Sequence, residues 1–278
     1  MNKKATFQRP ITRRSIEAEG IRLSYLLTDN SAPPLLIFLG FGQSSEKQQH
    51  LFELFPENRV LIIDPLLFGE SDYIGIKKSI STDDLNSVFQ ELFLKENIQE
   101  TGILAYSLGA RFAMNLCLLY PDSISSIHLL APDGIILNFW NRAIAHSLLI
   151  QKAYTSLMHN QKILLGLLRL GQGLRLLRPS LVKFARLHTK NKEAQERVLR
   201  LWILLKDVQP NFQFFITTAK AKSIPLNFVF GKYDRVITHR VRKKAMRCSP
   251  ESEFTLLEAG HDLMKHEVLE QWLESRTS

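Results

Sequence analysis

A serine in the pattern A-Y-S-L-G at residues 105–109 has the surroundings of a catalytic nucleophile. The pattern falls between a predicted strand and a predicted helix, so Ser107 lies at a strand-to-helix turn. Small residues at both flanks, Ala105 and Gly109, permit a tight turn where a bulky side chain would collide with neighbouring elements. Such a turn holds the Ser107 hydroxyl at the end of the strand, beside the N-terminal amides of the following helix. These features predict that Ser107 is a nucleophile.

A serine hydroxyl attacks poorly until a base removes its proton, and the sequence offers one candidate pair for that task. His261 lies in E-A-G-H-D at residues 258–262 and is the candidate base. Asp234 lies in F-G-K-Y-D-R at residues 230–235 and is the candidate that orients the imidazole. Both residues directly follow predicted strands, and polar side chains at the carboxyl ends of parallel strands meet at one edge of a sheet. We therefore predict a triad of Ser107, His261 and Asp234.

A second aspartate is an alternative orienting group. Asp133 lies in A-P-D-G at residues 131–134, directly after the predicted strand Ile124 to Leu130. An Asp-Gly pair after proline is also a common turn signal. The sequence context favours Asp234 and leaves Asp133 open.

The elements that must position these residues alternate between apolar runs of strand length and amphipathic helical patterns. This alternation predicts an α/β fold, with a mainly parallel central sheet flanked by helices. The predicted strands are Ile21 to Leu27, Leu35 to Leu39, Val60 to Ile63, Gly102 to Ala105, Ile124 to Leu130, Leu226 to Phe230 and Glu253 to Leu257. The predicted helices in the α/β part are Ser44 to Phe55, Ser81 to Asn97, Leu108 to Tyr120, His239 to Cys248 and Met264 to Glu274.

Between residues 135 and 222 the strand pattern stops, and the chain reads as helical throughout, rich in Leu, Lys and Arg. We therefore predict a core domain of residues 1–134 and 223–278, interrupted by an all-helical cap at 135–222. Asn138 to Lys222 contains 15 Lys and Arg against 3 Asp and Glu, a net charge of +12, whereas the whole chain carries +9. The insertion alone therefore makes the chain basic, which suggests a partner surface of its own.

The chain resembles the α/β-hydrolase superfamily, in its cap-bearing branch of esterase-like and C–C-hydrolase-like proteins. The order Ser, Asp, His matches that family. The segment L-G-F-G-Q-S at 39–44 resembles the family's oxyanion loop, and D-P-L-L-F-G-E-S-D at 64–72 resembles another family segment. The resemblance implies that the backbone N–H groups of Phe41 and Leu108 form an oxyanion hole. Three positions depart from the family pattern: Leu39 replaces a histidine, Ala105 replaces a glycine, and Thr238 stands where proline is common.

Composition excludes several other classes of protein. Hydrophobic residues make up 45% and charged residues 23%, which are ordinary values for a globular chain of 278 residues. Two cysteines are too few for a disulfide framework or a cysteine-based zinc site. We see neither a secretory signal nor an apolar stretch long enough to span a membrane, and therefore expect a cytoplasmic protein.

The remaining patterns predict no cofactor, no metal and no nucleic-acid partner. Gly40-Phe41-Gly42 lacks the third glycine of a dinucleotide fingerprint. His261 and His266 are not at the spacing of a helical zinc pair.

We predict a serine hydrolase that cleaves an ester or thioester of a small, apolar acyl substrate through an acyl-enzyme. A C–C bond hydrolase or an acyltransferase using the same triad is the first alternative, and a non-catalytic binding protein that kept the fold is the second. The basic cap is also predicted to contact an anionic membrane surface or an acyl carrier.

Overall fold

The computed structural model describes residues 10–28, 30–136, 145–159, 166 and 192–277. Within these residues the strands are β1 (Ile11–Ala18), β2 (Ile21–Thr28), β3 (Pro34–Phe38), β4 (Arg59–Ile63), β5 (Asp72–Tyr73), β6 (Thr101–Tyr106), β7 (Ile124–Leu130), β8 (Leu226–Gly231) and β9 (Glu253–Leu257). The helices are α1 (Leu51–Leu54), α2 (Thr82–Lys95), α3 (Gly109–Leu119), α4 (Leu148–His159), α5 (Lys192–Leu204), α6 (Phe212–Ala221), α7 (His239–Cys248) and α8 (His266–Thr277). None of the described helices is long and apolar enough to cross a membrane.

These strands form one sheet with the order β1-β2-β4-β3-β6-β7-β8-β9, and β5 pairs with β2 at its side. The six strands β4, β3, β6, β7, β8 and β9 are parallel to one another. Strand β2 is antiparallel to each of its neighbours β1, β4 and β5. The predicted α/β fold with a mainly parallel sheet is confirmed. Because β6, β8 and β9 are parallel, the loops that follow them emerge at the same edge of the sheet.

Apolar sequence runs explain why the central strands are buried. β3 and β4 are buried at all residues after their first, and β8 is buried along its whole length. Helix α2 begins with a capping box, in which the Asp84 N–H donates to Ser81 Oγ at 3.1 Å and the Ser81 N–H donates to Asp84 Oδ2 at 2.8 Å. Its buried apolar residues are Leu85, Val88, Phe89, Leu92 and Phe93.

The chain divides into two compact units. The first consists of Met1–Ile76, Ser81–Ile136 and Val208–Ser278, and it contains the whole sheet together with α1–α3 and α6–α8. The second consists of Lys77–Ile80 and Leu137–Asp207, and in it α4 packs against α5.

The cap predicted at residues 135–222 overlaps the second unit, although α6 belongs to the first. The leucine- and arginine-rich stretch at 167–178 lies outside the described residues, as does most of the chain from 160 to 191. The cap assignment and its basic surface stay predictions.

Two element predictions require correction. The expected single helix from Ser44 to Phe55 is wrong: a 3-10 turn at Ser45–Gln48 is followed by the separate short helix α1. Bonds to other parts of the chain hold these two turns, since the Ser45 N–H donates to Asp64 Oδ1 and His50 Nε2 donates to the Met264 carbonyl. Strand β1 is absent from the predicted elements, because Arg13 and Arg14 interrupt its apolar pattern.

Candidate active site

Ser107 lies between the end of β6 and the start of α3, as the sequence predicts. Its φ angle is +50°, a left-handed conformation that costs a non-glycine residue about 1–3 kcal/mol. Backbone hydrogen bonds hold the turn: the Ser107 N–H donates to the Leu130 carbonyl at 2.9 Å, and the Asp133 N–H donates to the Ser107 carbonyl at 3.0 Å. The turn therefore rests on β7 and the loop after it, which offset the strain of the left-handed residue.

Two glycines next to Ser107 permit close packing of the backbone: Gly109 at the start of α3, and Gly40 in the loop after β3. A Cβ atom at Gly109 would overlap the Phe38 carbonyl at the end of β3, so α3 can begin there only without a side chain. A Cβ atom at Gly40 would lie 2.6 Å from the Tyr106 ring and 3.2 Å from the Ser107 Cβ. The loop after β3 thus packs directly on the serine turn.

His261 lies in the loop that follows β9, and its ring reaches the serine. Its Nε2 atom is 3.1 Å from Ser107 Oγ, and 26% of its side chain is exposed. The Tyr106 hydroxyl donates to the His261 carbonyl at 3.0 Å, and the two rings are 5.4 Å apart between centroids. Burial and the negative charges of Asp262 and Asp234 raise the pKa of Tyr106, so its hydroxyl keeps the proton that it donates. Tyr106 therefore fixes the backbone that carries the candidate base.

Asp234 lies in the loop that follows β8 and meets the other side of the same imidazole. Its Oδ2 atom is 2.8 Å from His261 Nδ1, and its side chain is 1% exposed. Its Oδ1 atom accepts hydrogen bonds from the backbone N–H groups of Val236 at 2.7 Å and Ile237 at 2.9 Å. Both carboxylate oxygens are thus held, one by its own loop and one by the histidine.

The two loops that carry Asp234 and His261 approach each other at glycines. A Cβ atom at Gly231 would overlap the Gly260 carbonyl. The Tyr233 N–H donates to the Ala259 carbonyl at 2.9 Å, which ties the loops together beside this contact. This close approach explains how residues 27 positions apart come within hydrogen-bond distance.

Asp133, the alternative orienting residue, is bound elsewhere. Its Oδ2 atom accepts from Arg111 at 2.9 Å (Nε) and lies 2.8 Å from the second guanidinium nitrogen, while its Oδ1 accepts from the Gly134 N–H at 2.8 Å. The structure therefore brings Asp234, and not Asp133, to the imidazole of His261.

The loop with the predicted oxyanion residue Phe41 is closed by a side chain that sequence reasoning did not single out. Gln43 Oε1 accepts from the Gly40 N–H at 2.9 Å, and the Gln43 N–H donates to the Gly40 carbonyl at 3.2 Å. Leu39, at the position of the family's histidine, is buried. The Phe41 ring packs edge-on against Phe68 with centroids 4.8 Å apart. The sequence feature that could have indicated this contact is a polar residue, Gln43, three positions after Gly40.

Leu108, the other predicted oxyanion residue, immediately precedes α3. Its N–H is therefore among the amides at the positive end of that helix dipole. The role of Phe41 and Leu108 as oxyanion donors stays a prediction.

Asp64 is a second residue whose structural role was not predicted. Its carboxylate is fully buried, forms an ion pair with Arg13 at 3.0 Å and accepts from the Glu70 N–H at 3.1 Å. Gly69 has φ +56°, and a Cβ atom there would overlap the Asp64 carboxylate. The segment at 64–72 is thus a loop wrapped around its own aspartate.

Across the described ranges, no group of three or more His, Cys, Asp or Glu side chains is arranged to hold a metal ion.

Comparisons with known proteins agree with this architecture. A family model described as "alpha/beta hydrolase fold" matches residues 33–151. A putative 2-succinyl-6-hydroxy-2,4-cyclohexadiene-1-carboxylate synthase from Bacillus subtilis is 29% identical over 113 residues. That match covers 40% of this chain and 40% of the Bacillus protein, so less than half of either is aligned.

Solved structures match over nearly the whole chain. A structure from work on carboxylesterases of the thaumarchaeon Nitrososphaera gargenis has a TM-score of 0.68 at 14% identity and covers 96% of this chain and 98% of that one. A thioesterase domain from the curacin biosynthetic pathway has a TM-score of 0.65 at 14% identity and covers 95% of this chain and 99% of that domain. At these identities the likeness concerns the fold alone. The family model and these structures therefore show that the chain has the α/β-hydrolase fold.

Proposed function

We propose that this protein is a serine hydrolase that cleaves an ester or thioester bond of a small, apolar acyl substrate. The observation that carries the proposal is an unbroken chain of side chains. Ser107 Oγ lies 3.1 Å from His261 Nε2, and His261 Nδ1 lies 2.8 Å from Asp234 Oδ2. These are the contacts that proton transfer from a serine to a histidine held by a carboxylate requires.

In the first half of the proposed reaction, Ser107 Oγ attacks the acyl carbon while His261 Nε2 takes the hydroxyl proton. The new C–O bond gives a tetrahedral intermediate with a negatively charged oxygen. When the bond to the leaving group breaks, Nε2 gives its proton to the departing oxygen or sulfur. The acyl group then remains on Ser107 as an ester.

In the second half, a water molecule takes the place of the leaving group. Nε2 of His261 removes a proton from the water as it attacks the acyl-enzyme, and returns that proton to Ser107 Oγ as the carboxylic acid departs. The enzyme is restored, and no cofactor takes part.

Asp234 has the orienting role in this scheme. Its carboxylate holds the proton of His261 on Nδ1, which leaves Nε2 free to accept the serine proton. It also stabilises the imidazolium that forms during attack. The amides of Val236 and Ile237 fix the second carboxylate oxygen, so the acceptor keeps its direction.

The developing oxyanion is proposed to bind to the backbone N–H groups of Phe41 and Leu108. Removing a donor of this kind typically costs about 3–4 kcal/mol of transition-state stabilisation. Because Gly40 packs on the Ser107 turn and is bound by Gln43, the Phe41 amide is carried by a loop with a fixed position. Gln43 is thus a positioning residue in this proposal.

C–C bond hydrolysis or acyl transfer is the second candidate, and the partial match to a putative synthase from Bacillus subtilis favours a reaction other than ester hydrolysis. The same nucleophile and base would serve either reaction. The hydrogen-bonded triad argues against a binding protein without catalysis, because three side chains with no function would not need this alignment.

We further propose that residues 135–222 form a helical cap, and that its basic residues contact an anionic membrane surface or an acyl carrier. Its Leu-rich sequence favours an apolar acyl chain. The two cysteines, both unpaired, suit the cytoplasm.

A series of p-nitrophenyl esters from acetate to laurate, with acyl-thioesters of the same chains, tests this proposal. We expect hydrolysis that depends on chain length and falls at least ~10³-fold in Ser107→Ala. A Ser125→Ala variant, which changes a serine of β7 away from the site, is the matched control and should keep the parent rate. Hydrolysis by Ser107→Ala at the parent rate would refute the mechanism, and turnover of none of these substrates would favour the second candidate.

A further inference from the structure

A surface on the core domain has an unbalanced positive charge that the predicted site does not use. From Arg235 to Pro250 the chain holds six Lys and Arg residues and no Asp or Glu. This stretch consists of the end of the Asp234 loop and the whole of helix α7. It is separate from the basic insertion at Asn138 to Lys222.

Helix α7 sorts its residues onto two faces. Val241 and Ala245, four positions apart, are buried against the core. Arg240, Lys243 and Arg247 are exposed and recur at intervals of three and four, so they share the opposite face. The cations therefore form one outward stripe instead of a ring around the helix.

These cations are not neutralised by any described part of the chain. In the part of the chain that the structure describes, Arg235, Arg240, Lys243 and Arg247 make no ion pair or hydrogen bond through their side chains. Lys244 differs, because its ammonium group donates to the Ile135 carbonyl at 2.7 Å.

Arginines on β1 and β4 are paired with carboxylates, in contrast to those of α7. Arg13 contacts Glu46, Asp64 and Glu70 at 3.0–3.2 Å. Arg59 contacts Glu96 at 2.9 Å. Arg22, Lys47 and Lys265 are also exposed and unpaired among the described residues, but they lie in three separate parts of the chain, whereas the cations of α7 share one helix face.

Large apolar side chains lie beside the unpaired cations. Met246 is on the exposed stripe and is 46% exposed, and Val236, just before the helix, is 62% exposed. A surface that only needs to stay hydrated gains nothing from such residues. A lipid surface satisfies both features, since anionic headgroups attract the cations and the interface takes up the apolar side chains.

We propose that this cationic stripe, defined as Arg240, Lys243, Met246 and Arg247 with Arg235 and Val236 beside it, docks the protein on anionic phospholipid membranes. A duplex nucleic acid fits less well, because its phosphates would attract the cations but leave the exposed side chains of Met246 and Val236 in water. An acidic protein is the remaining alternative. The proposal does not depend on hydrolase activity.

The test is sedimentation with vesicles of phosphatidylcholine alone or mixed with phosphatidylglycerol, at low and high salt. We compare the parent with R240Q/K243Q/R247Q and with a control triple, R22Q/K47Q/K265Q, which removes the same charge from exposed positions elsewhere. Because each basic residue near an anionic surface changes affinity by about fivefold, the stripe triple should bind about 100-fold more weakly. We expect the control triple to lose much less and the parent to bind only the anionic vesicles.

Two further variants separate the explanations. Val236→Ser with Met246→Ser should also weaken vesicle binding, since apolar contact contributes. Ser107→Ala should bind vesicles like the parent, which makes the result independent of the proposed reaction. Equal losses in the two triples, equal binding to both lipids, or no binding at low salt would overturn the proposal. Binding to poly-glutamate without binding to vesicles would assign the stripe to an acidic protein and overturn it too.

Discussion

Two neighbouring regions of the sheet each supply one histidine and one aspartate, yet they use them differently. In the first region His128 lies on β7 and Asp133 in the loop after it. In the second, Asp234 follows β8 and His261 follows β9. Asp234 and His261 bind each other and reach Ser107, whereas His128 and Asp133 are each bound to a different arginine.

The arginines explain the difference. Arg276 lies 3.3 Å from Nδ1 of His128, and Arg111 holds Asp133 at 2.8 Å. A guanidinium keeps its positive charge at every physiological pH. Arg111 therefore occupies the Asp133 carboxylate, and Arg276 occupies Nδ1 of His128, so neither group is available to the other. In the second region no Lys or Arg of the described chain forms an ion pair with Asp234, whose Oδ2 atom is instead hydrogen-bonded to His261 Nδ1. A residue's type and its position after a strand are thus not sufficient to identify a catalytic aspartate. A neighbouring arginine binds Asp133, whereas Asp234 binds the histidine beside Ser107.

Replacing Asp234 with Asn should have the largest effect on this contrast. The amide can no longer hold the proton of His261 on Nδ1, so the wrong tautomer faces Ser107. We expect kcat to fall by roughly 10⁴-fold, the loss that serine proteases show when the orienting aspartate becomes asparagine, with the melting temperature little altered. Steady-state hydrolysis of the best p-nitrophenyl ester measures it. A decrease of less than tenfold in a folded variant would remove Asp234 from the triad.

Acidification should destabilise the protein through His128, in the other region. Burial, with a contribution from the Arg276 charge, lowers the pKa of His128 from 6.5 to about 4. Between these values only the unfolded chain binds the proton, so stability is complete above pH 6.5 and falls as the pH drops towards 4. We expect this group to cost about 2 kcal/mol between pH 7 and pH 5.

Urea unfolding at the two pH values measures that loss. His128→Gln serves as the comparison, because it removes the titrating group and should reduce the pH dependence by the same amount. An unchanged pH dependence in His128→Gln would show that His128 does not titrate in this range.

Replacing Asp133 with Asn should have the smallest effect. Arg111 is only 14% exposed and would lose its carboxylate, which we expect to lower the free energy of unfolding by about 1–2 kcal/mol. The triad is untouched, so kcat should stay within about threefold of the parent. Urea unfolding and ester hydrolysis on the same preparation measure both. A loss of activity as large as that of Asp234→Asn would erase the difference between the two regions.

Much of the scaffold of the site follows from local sequence patterns. The bounds predicted for β7, α7 and β9 agree with the structure, because apolar runs and an amphipathic helix specify them locally. The same reasoning places Ser107 at a strand-to-helix turn and His261 and Asp234 after parallel strands. It could not choose between Asp133 and Asp234 by chemistry, since both follow strands of the same sheet.

What the sequence could not predict depends on contacts between distant residues. The pairing of Arg111 with Asp133 spans 22 positions, and that of Arg13 with Asp64 spans 51. Gln43 acquires its role only because the loop after β3 folds back on Gly40. The sequence shows the net charge of the insertion. It does not show which cations of α7 stay unpaired, because that depends on the ion pairs that the folded chain forms.

The most direct test of the central claim is labelling with a fluorophosphonate probe, followed by mass spectrometry of the modified peptide. Among the described serines, Ser107 alone combines a hydrogen-bonded histidine with the start of a helix, so it should carry the label. Ser107→Ala should show none, and Asp234→Asn should label far more slowly than Asp133→Asn. Labelling of Ser107→Ala as strongly as the parent, or a label that maps to another residue, would contradict the account.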